Sequence, residues 1–291
     1  MTQDPGSDDN RAGVEETPPA GPSSKASSHW LGLPPIVLRV GTLFAGLVLW
    51  ILLGVGEVFH PSLFPPPWDV GATLLSMMAD GELFRHIAVS LSRVFLGFAF
   101  ATLIAIPLGI AMGLSNRVFL FVEPLVEFLR PVPPLALVPL AVVWFGIGWT
   151  SKVFLIFYGC FFAIVINTVA GMKAVESVHV RAAQALGASR WQILMHVILR
   201  SAVPDIVVGL RLAIGLAFLL IVGAELIAAS EGLGWLIWDA RFHFMGDRIL
   251  VGMIAIGVVG FLLNRLLQMV ETHLLRWRSA EADEGRVAGL N

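Results

Sequence analysis

Six ionisable side chains lie in or beside long apolar runs of this chain: Arg93, Glu123, Glu127, Arg130, Arg211 and Glu225. A charge in hydrocarbon is costly, so such residues face protein or water and mark ion pairs or solute paths. Arg93 and Arg211 lie a few residues inside apolar runs, which makes them candidate cations for guiding an anion. The alternative is that each arginine pairs with Glu225, a backbone carbonyl or a lipid phosphate. The sequence leaves both alternatives open.

Prolines interrupt the third apolar run at Pro131, Pro133, Pro134 and Pro139. Non-helical backbone at membrane depth is tolerated only where it is buried in protein or lines a cavity. We therefore predict a broken span, with part of it beside a solute pathway. The candidate pathway residues are Arg93, Pro133, Pro134, Arg211 and Glu225.

A short polar segment, RAAQALGASRWQ at 181–192, separates two apolar runs. Val178, Ala182 and Leu186 recur at every fourth position, which predicts one apolar stripe on a helix. Gly187 stands where the end of that helix needs a left-handed residue, and glycine adopts this conformation without a Cβ penalty. The segment therefore predicts a helix that ends in a tight turn.

A second helix is predicted directly after the turn. Ser189 and Gln192 form the S-x-x-Q pattern of a capping box, so this helix begins at Arg190. Ala182 and Ala183 give the first helix a smooth surface that another protein can approach closely. Two interpretations remain: a helix lying on the membrane surface, or a docking helix for a cytoplasmic partner.

The composition is that of an all-α membrane protein, because 57% of the residues are hydrophobic and 14% are charged. Soluble domains average about 25% charged residues. A net charge of −2 gives no reason to expect nucleic-acid binding. Cys160 is the single cysteine, and no Cys/His spacing predicts a metal site. A span needs about 20 apolar residues, and about six segments qualify: 36–59, 86–114, 118–145, 153–172, 204–229 and 249–275.

The connections between these spans differ in charge and composition. Residues 60–85 predict a short amphipathic helix at the interface, and 231–248 predict an interfacial loop with tryptophans. One set of connections carries more Lys and Arg, namely Arg117, Lys173, Arg181, Arg190, Arg200, Arg276 and Arg278. The opposite set carries Arg85, Lys152, Arg241 and Arg248. The richer set is predicted to be cytoplasmic, which places both termini inside.

The polar segment resembles a motif of ABC importer permeases, written E-A-A, three residues, then G. Arg181, Ala182, Ala183 and Gly187 take those places. The blocks FLRPVPPLALVPLAVVWFGIGWTSKVFLIF, NTVAGMKAV and AELIAASEGLGWLI are similar to permeases of the taurine, alkanesulfonate and nitrate importer group. The resemblance covers about 61–278, nearly the whole apolar part of the chain.

This resemblance implies a type I ABC importer permease fold with a cytoplasmic coupling helix that sits in a groove of an ATPase subunit. The coupling residues it implies are Arg181, Ala182, Ala183, Leu186, Gly187, Ser189 and Arg190. Two residues depart from the family pattern. Arg181 replaces the acid of the motif, and Arg200 stands where many members have a proline that starts the next span. Pro204 is the alternative start.

The resemblance also implies a domain organisation. Residues 1–29 are rich in Pro, Gly, Ser and acids, and such a segment is predicted to be disordered. The predicted parts are therefore a disordered tail, a first helix with an outer interfacial segment, a permease core and a cytoplasmic tail: 1–29, 30–83, 84–278 and 279–291.

Partners are implied by what the sequence lacks. The nearest approach to a phosphate-binding P-loop, GIGWTSK at 146–152, has the wrong spacing. We therefore expect no catalytic site and no cofactor, and ATP hydrolysis by a separate ATPase subunit. The other expected partners are a second permease copy, a solute-binding protein in the periplasm or anchored to lipid, and membrane lipid.

The resulting prediction is a multi-pass subunit of a bacterial inner membrane that moves a small anion such as taurine, an alkanesulfonate or nitrate. An aromatic acid or a pyrimidine precursor is the alternative cargo. An ion-coupled transporter that uses Glu225 is a further alternative, since that class places carboxylates in broken helices. An intramembrane enzyme has no supporting motif.

Overall fold

The computed structural model describes residues 35–56, 60 and 62–274, and within them the chain is helical and contains no strand. The predicted all-α fold is confirmed. The helices are α1 Pro35–Val55, α2 Pro67–Ala79, α3 Glu82–Leu114, α4 Asn116–Leu129, α5 Val138–Phe145, α6 Trp149–Lys173, α7 Ser177–Ala185, α8 Arg190–Gln192, α9 Leu199–Ala228, α10 Leu233–Phe242 and α11 Gly246–Leu274.

Four helical segments of the described chain are long and apolar enough to cross a membrane: Glu82–Leu114, Trp149–Lys173, Arg190–Phe242 and Gly246–Met269. A fifth span results if the bent pair Asn116–Leu129 and Pro134–Phe145 is counted as one. The first predicted span, 36–59, extends into residues that the structure does not describe. Phe44–Val55 within it is a shorter apolar helix.

Internal contacts divide the chain into two compact units, Met1–Val48 and Leu49–Asn291. The described part of the first unit is the beginning of α1. The predicted tails, 1–29 and 279–291, lie outside the described residues. Both sides of the predicted boundary at 83 and 84 belong to the second unit, so α2 and α3 share a core that includes Val70, Met77 and Leu83.

Helix α6 forms the centre of the second unit because glycines let its neighbours approach closely. A Cβ added to Gly97 or Gly109 of α3 would lie 2.6 Å from Ile156 or Thr168 of α6. Gly113 lies against Met172 in the same way. These pairs advance together along both helices, so α3 and α6 are parallel. Gly109 and Gly113 have the G-x-x-x-G spacing that permits such close contact between membrane helices.

Helix α9 packs antiparallel against a neighbouring face of α6. A Cβ added to Gly171 would lie 2.8 Å from Asp205, and one added to Gly209 would lie 2.7 Å from Asn167. The bundle therefore has two ends. We call them the α7 end, where α6 ends and α9 begins, and the α10 end, where α6 begins and α9 ends.

Replacing Gly97 with alanine is expected to lower the thermal stability of the purified protein. The new methyl group would meet both Ile156 and the carbonyl oxygen of Val153, 2.9 Å away. Overpacking of this kind costs about 1–3 kcal/mol. Gly257→Ala is the matched control, since a Cβ at Gly257 meets nothing within 4 Å. Equal melting temperatures of the two variants in detergent would contradict the close packing.

The third predicted span is broken, as the prolines indicated. Helix α4 ends at Leu129, a 3-10 turn covers Pro134–Leu137, and α5 follows directly. The two halves are bent by 80°. Pro133 and Pro134 cannot donate backbone hydrogen bonds, so the chain cannot continue the α4 ladder through them.

The second half of the chain differs from the sequence-based prediction in two places. The helix that contains the fifth predicted span does not start at Pro204, because it runs without interruption from Arg190 through a π-helical turn, Ile193–Ile198, into α9. Pro204 is buried inside this helix, and neighbouring helices let a spanning helix tolerate proline. The predicted interfacial loop contains α10, whose residues Leu233, Leu236 and Ala240 share one buried face.

Candidate functional site

The end of α7 has the predicted geometry of a tight turn. Gly187 has φ +79°, in the left-handed region. The Ala188 N–H donates to the Ala183 carbonyl at 3.0 Å, and the Gly187 N–H donates to the Gln184 carbonyl at 2.9 Å. These two bonds form a Schellman motif, which satisfies carbonyls that the helix end leaves without partners.

The next helix begins with the predicted capping box. The Gln192 N–H donates to Ser189 Oγ at 3.3 Å, and the Ser189 N–H donates to Gln192 Oε1 at 2.8 Å. Only Ala188 separates Gly187 from this cap. The direction of α7 is therefore fixed relative to α8 by hydrogen bonds on both sides of one residue.

Helix α7 is open to solvent, and none of its residues is buried. The predicted stripe of Val178, Ala182 and Leu186 is exposed, and Leu186 is 88% exposed. Arg181 and Arg190 are exposed as well. A cavity of about 790 Å³, lined by residues that include His179, Ala182 and His196, lies between α7 and the start of the long helix. An exposed helix beside such a cavity is suited to docking.

A second cavity, also about 790 Å³, lies beside the broken helix. Pro133 and Pro134 line it together with residues of α6 and α9. Most of the lining is apolar, and its polar side chains are Arg130, Tyr158 and Asn167. The two candidate pathway prolines therefore lie on a groove, as the break in the helix indicated.

Arg93 and Glu225 form a buried ion pair at the α10 end. The Arg93 Nη1 donates to Glu225 Oε1 at 2.7 Å and to the Glu231 carbonyl at 2.8 Å. Arg93 is 4% exposed and Glu225 is 1% exposed. The Arg93 guanidinium also lies 5.8 Å from the centre of the Trp149 ring. The structure thus pairs this arginine with the carboxylate that the sequence named as one alternative partner.

The same carboxylate belongs to a set of buried acceptors for the start of α10. The N–H groups of Gly232, Leu233 and Gly234 donate to His86 Nδ1 at 3.1 Å, Ser90 Oγ at 2.9 Å and Glu225 Oε2 at 3.0 Å, respectively. Ser90 Oγ in turn donates to Glu225. Three consecutive backbone donors are therefore satisfied by side chains of α3 and α9.

Lys152 is a member of this cluster that sequence reasoning missed. It was counted as a charge of an interfacial connection, yet it is 2% exposed. Its Nζ donates to the carbonyl oxygen of Ala228, the last residue of α9. We refer to His86, Ser90, Arg93, Lys152 and Glu225 as the α10-end cluster.

Arg211 lies elsewhere and does not join this cluster. Its Nη1 donates to Glu271 of α11 at 2.9 Å, and its side chain is 42% exposed. The two candidate pathway arginines therefore have different environments: Arg93 is buried, and Arg211 is partly exposed. In the part of the chain that the structure describes, no group of three or more His, Cys, Asp or Glu could hold a metal ion.

Residues 105–279 match the family described as "Binding-protein-dependent transport system inner membrane component". The chain belongs to this family, and its helical bundle has the type I ABC importer permease fold that its motifs implied. The protein is therefore a membrane component of transport systems that depend on binding proteins.

Several curated relatives cover most of the chain. The taurine transport system permease protein TauC of Escherichia coli K12 is 42% identical over 88% of this chain and 94% of its own length. A putative aliphatic sulfonates transport permease protein, SsuC of Bacillus subtilis, is 36% identical over 80% of this chain and 85% of its own length. The nitrate import permease protein NrtB of Leptolyngbya laminosa is 36% identical over 80% of this chain and 85% of its own length.

Solved structures support the fold independently. An inward-facing MetNI methionine ABC transporter contains a chain with a TM-score of 0.58 and 17% identity, over 66% of this chain and 95% of that one. An amino acid ABC transporter, solved with histidines, contains a chain with a TM-score of 0.55 and 20% identity, over 69% and 98%. At this identity the likeness concerns the fold alone.

Proposed function

We propose that this chain is the transmembrane subunit of an ATP-driven importer, working as a homodimer with two separate ATPase subunits. A separate solute-binding protein delivers the cargo. The observation that carries the proposal is α7, a fully accessible helix whose direction is fixed by the Gly187 turn and the Ser189 cap. In this family setting α7 is the coupling helix.

The coupling residues are Arg181, Ala182, Ala183, Leu186, Gly187, Ser189 and Arg190. The small side chains of Ala182 and Ala183 let the groove of the ATPase approach the α7 backbone, and Leu186 adds an exposed apolar contact. Arg181 and Arg190 supply positive charge on either side of the turn. Closure of the ATPase dimer on ATP draws the two copies of α7 together, and hydrolysis releases them.

The cargo is a small anion, with a sulfonate such as taurine or an alkanesulfonate ahead of nitrate. The names of the relatives support this class. Pro133 and Pro134 place the broken helix beside the groove through which the cargo moves. The Arg211 side chain is 42% exposed although it pairs with Glu271, so an anion can reach it, whereas the ion pair of Arg93 and Glu225 is buried. The sealing of Glu225 also speaks against the ion-coupled alternative.

The orientation follows from the charges. The connection that contains α7 carries Lys173, Arg181, Arg190 and Arg200, which favours the cytoplasmic side of a bacterial inner membrane. Both termini then lie in the cytoplasm, and the α10 end faces outward, towards the solute-binding protein. Cysteine labelling of Ser189→Cys and Ser230→Cys in intact cells, with reagents that do not cross the membrane, tests this placement. Labelling of position 189 alone would reverse the proposed orientation and place α7 outside the cytoplasm.

The purified chain is expected to hydrolyse no ATP by itself and to support hydrolysis only with a separate ATPase subunit. The reason is that 146–152 lacks the glycine and lysine spacing that holds phosphates. Hydrolysis is measured for the chain alone, the ATPase subunit alone and the complex in liposomes. Turnover by the chain after rigorous removal of other subunits would overturn the proposal.

Uptake into the same liposomes decides the cargo class. Labelled taurine, a longer alkanesulfonate and nitrate are compared with a neutral pyrimidine, each with the solute-binding protein present. We expect ATP-dependent uptake of a sulfonate. Uptake of the neutral compound alone would overturn the anion assignment and would leave the importer assignment intact.

A further inference from the structure

One continuous helix joins the α7 turn to the α10-end cluster. The capped residues of α8 continue through the π-helical turn into α9, which ends at Ala228. From Arg190 to Ala228 this helix is about 58 Å long at 1.5 Å per residue. That length exceeds the roughly 30 Å of hydrocarbon that it crosses. A displacement of α7 therefore reaches the opposite end of the bundle through a single element.

The helical hydrogen bonds stop at that opposite end. Ala229 is extended, with φ −129° and ψ 165°, and Gly232 has φ +120°. A junction of this kind would act as a hinge between α9 and α10 if its backbone groups had no fixed partners, because irregular segments without such bonds open readily.

The α10-end cluster supplies those partners from three helices. His86 and Ser90 of α3 and Glu225 of α9 accept the first N–H groups of α10. Arg93 and Lys152 donate to the carbonyls of Glu231 and Ala228. All five side chains are nearly fully buried, so water does not compete with these bonds.

The shape of the junction also depends on Gly234, because α9 and α10 lie very close together there. A Cβ added to Gly234 would lie 2.5 Å from the Val222 carbonyl oxygen and 2.7 Å from Glu225 Cβ. The backbone of α10 thus approaches α9 so closely that the Glu225 carboxylate reaches its first turn. A negative group at that position also favours the helix dipole of α10.

We propose that Glu225, together with Ser90 and His86, is a positioning residue of the transport cycle that makes α10 move as one body with α9. The proposal rests on the proposed function. The cluster then transmits the movement of α7 to the outer surface formed by α10 and the junction. Under the proposed function the solute-binding protein docks on that surface, and its docking is expected to stimulate hydrolysis through the cluster. Arg93 and Lys152 hold the junction in place from α3 and α6.

The test uses Glu225→Gln and the milder Ser90→Ala in the complete complex with its ATPase subunit and solute-binding protein. Arg248→Gln is the matched control, since Arg248 forms an ion pair with Glu82 at 2.9 Å at the same end and has no bond to residues 228–234. Three quantities are measured: amide hydrogen exchange of 232–234, hydrolysis without the solute-binding protein, and hydrolysis stimulated by it.

Both cluster variants are expected to speed exchange at 232–234 by about tenfold or more, because charged and hydroxyl acceptors are lost or weakened. Stimulated hydrolysis is expected to fall by about tenfold, within the usual range of coupling between sites. Hydrolysis without the solute-binding protein is expected to stay within about twofold of the wild-type rate, because α7 is unchanged. Arg248→Gln leaves both the exchange and the stimulation near the wild type.

Three outcomes decide the question. Normal stimulation in a cluster variant whose amides exchange faster would overturn the positioning role, since the cluster would then serve stability alone. If Glu225→Gln fails to assemble, Ser90→Ala decides in the same way. Absence of stimulation in the wild-type complex contradicts the proposed function instead, and the exchange measurement distinguishes that failure from a failure of the cluster.

Discussion

Replacing Gly187 with valine is expected to reduce uptake to about a tenth or less while the protein still inserts into the membrane. Gly187 has φ +79°, a conformation that glycine adopts without strain. A β-branched residue in that conformation destabilises the turn by about 1–2 kcal/mol or more. The helix end can avoid that cost only by giving up the bond between Ala188 and Ala183. Helix α7 would then point away from its groove on the ATPase.

The measurements are uptake, retention of the ATPase subunit on the purified variant, and hydrolysis by the complex. Gly187→Asn is the matched control, because asparagine tolerates the left-handed conformation better than other residues with a Cβ. No other atoms lie within 4 Å of a Cβ placed at Gly187, so the backbone conformation, and not crowding, separates the two variants. Normal uptake by well-expressed Gly187→Val would count against both the turn and the docking role.

Replacing Arg93 with glutamine is expected to destabilise the protein by about 3 kcal/mol, because it leaves the Glu225 carboxylate buried without its countercharge. The side chains are 5% and 0% exposed, and the two charged atoms are 2.7 Å apart. Thermal unfolding of the purified protein in detergent reports the loss. The double variant with Glu225→Gln is expected to recover part of it, since neither member of the ion pair is then left charged without the other.

Arg211→Gln gives the contrast. The Arg211 side chain is 42% exposed where it meets Glu271, and exposed pairs contribute about 0–1 kcal/mol. Slower uptake with unchanged stability would therefore favour a pathway role for Arg211. The same result for Arg93, with an unchanged melting temperature, would contradict the structural role that its ion pair indicates.

The features that the sequence predicted best are local ones. Gly187 forms a turn with residues just before it, and Ser189 and Gln192 bond each other. Both features involve residues close in sequence, so the turn and the cap can be recognised from spacing alone. The break at Pro133 and Pro134 is equally local, since two adjacent prolines remove two successive backbone donors from the helical ladder. The hydrophobic runs likewise identified the segments that became α3, α6, α9 and α11.

The features that the sequence did not predict depend on distant partners. Lys152 looks like an interfacial charge in the sequence, because the Ala228 carbonyl that accepts its hydrogen bond lies 76 residues later. Pro204 looks like a helix start in the sequence. The long helix continues through it because other helices bury it, and those helices are distant in sequence. Residues 233–242 look like a loop because their apolar face is buried only when α2, α3 and α11 pack against it.

The buried ion pair also has a consequence for how the chain is made. Arg93 and Glu225 are separated by 132 residues, and ribosomes add about 5–20 residues per second. Arg93 is therefore added to the growing chain about 7 to 26 s before Glu225. During that interval α3 carries a cation with no partner, which hydrocarbon disfavours. A chain that ends before α9 leaves Arg93 without its carboxylate, so we expect α3 to be held less stably in hydrocarbon until α9 has been made.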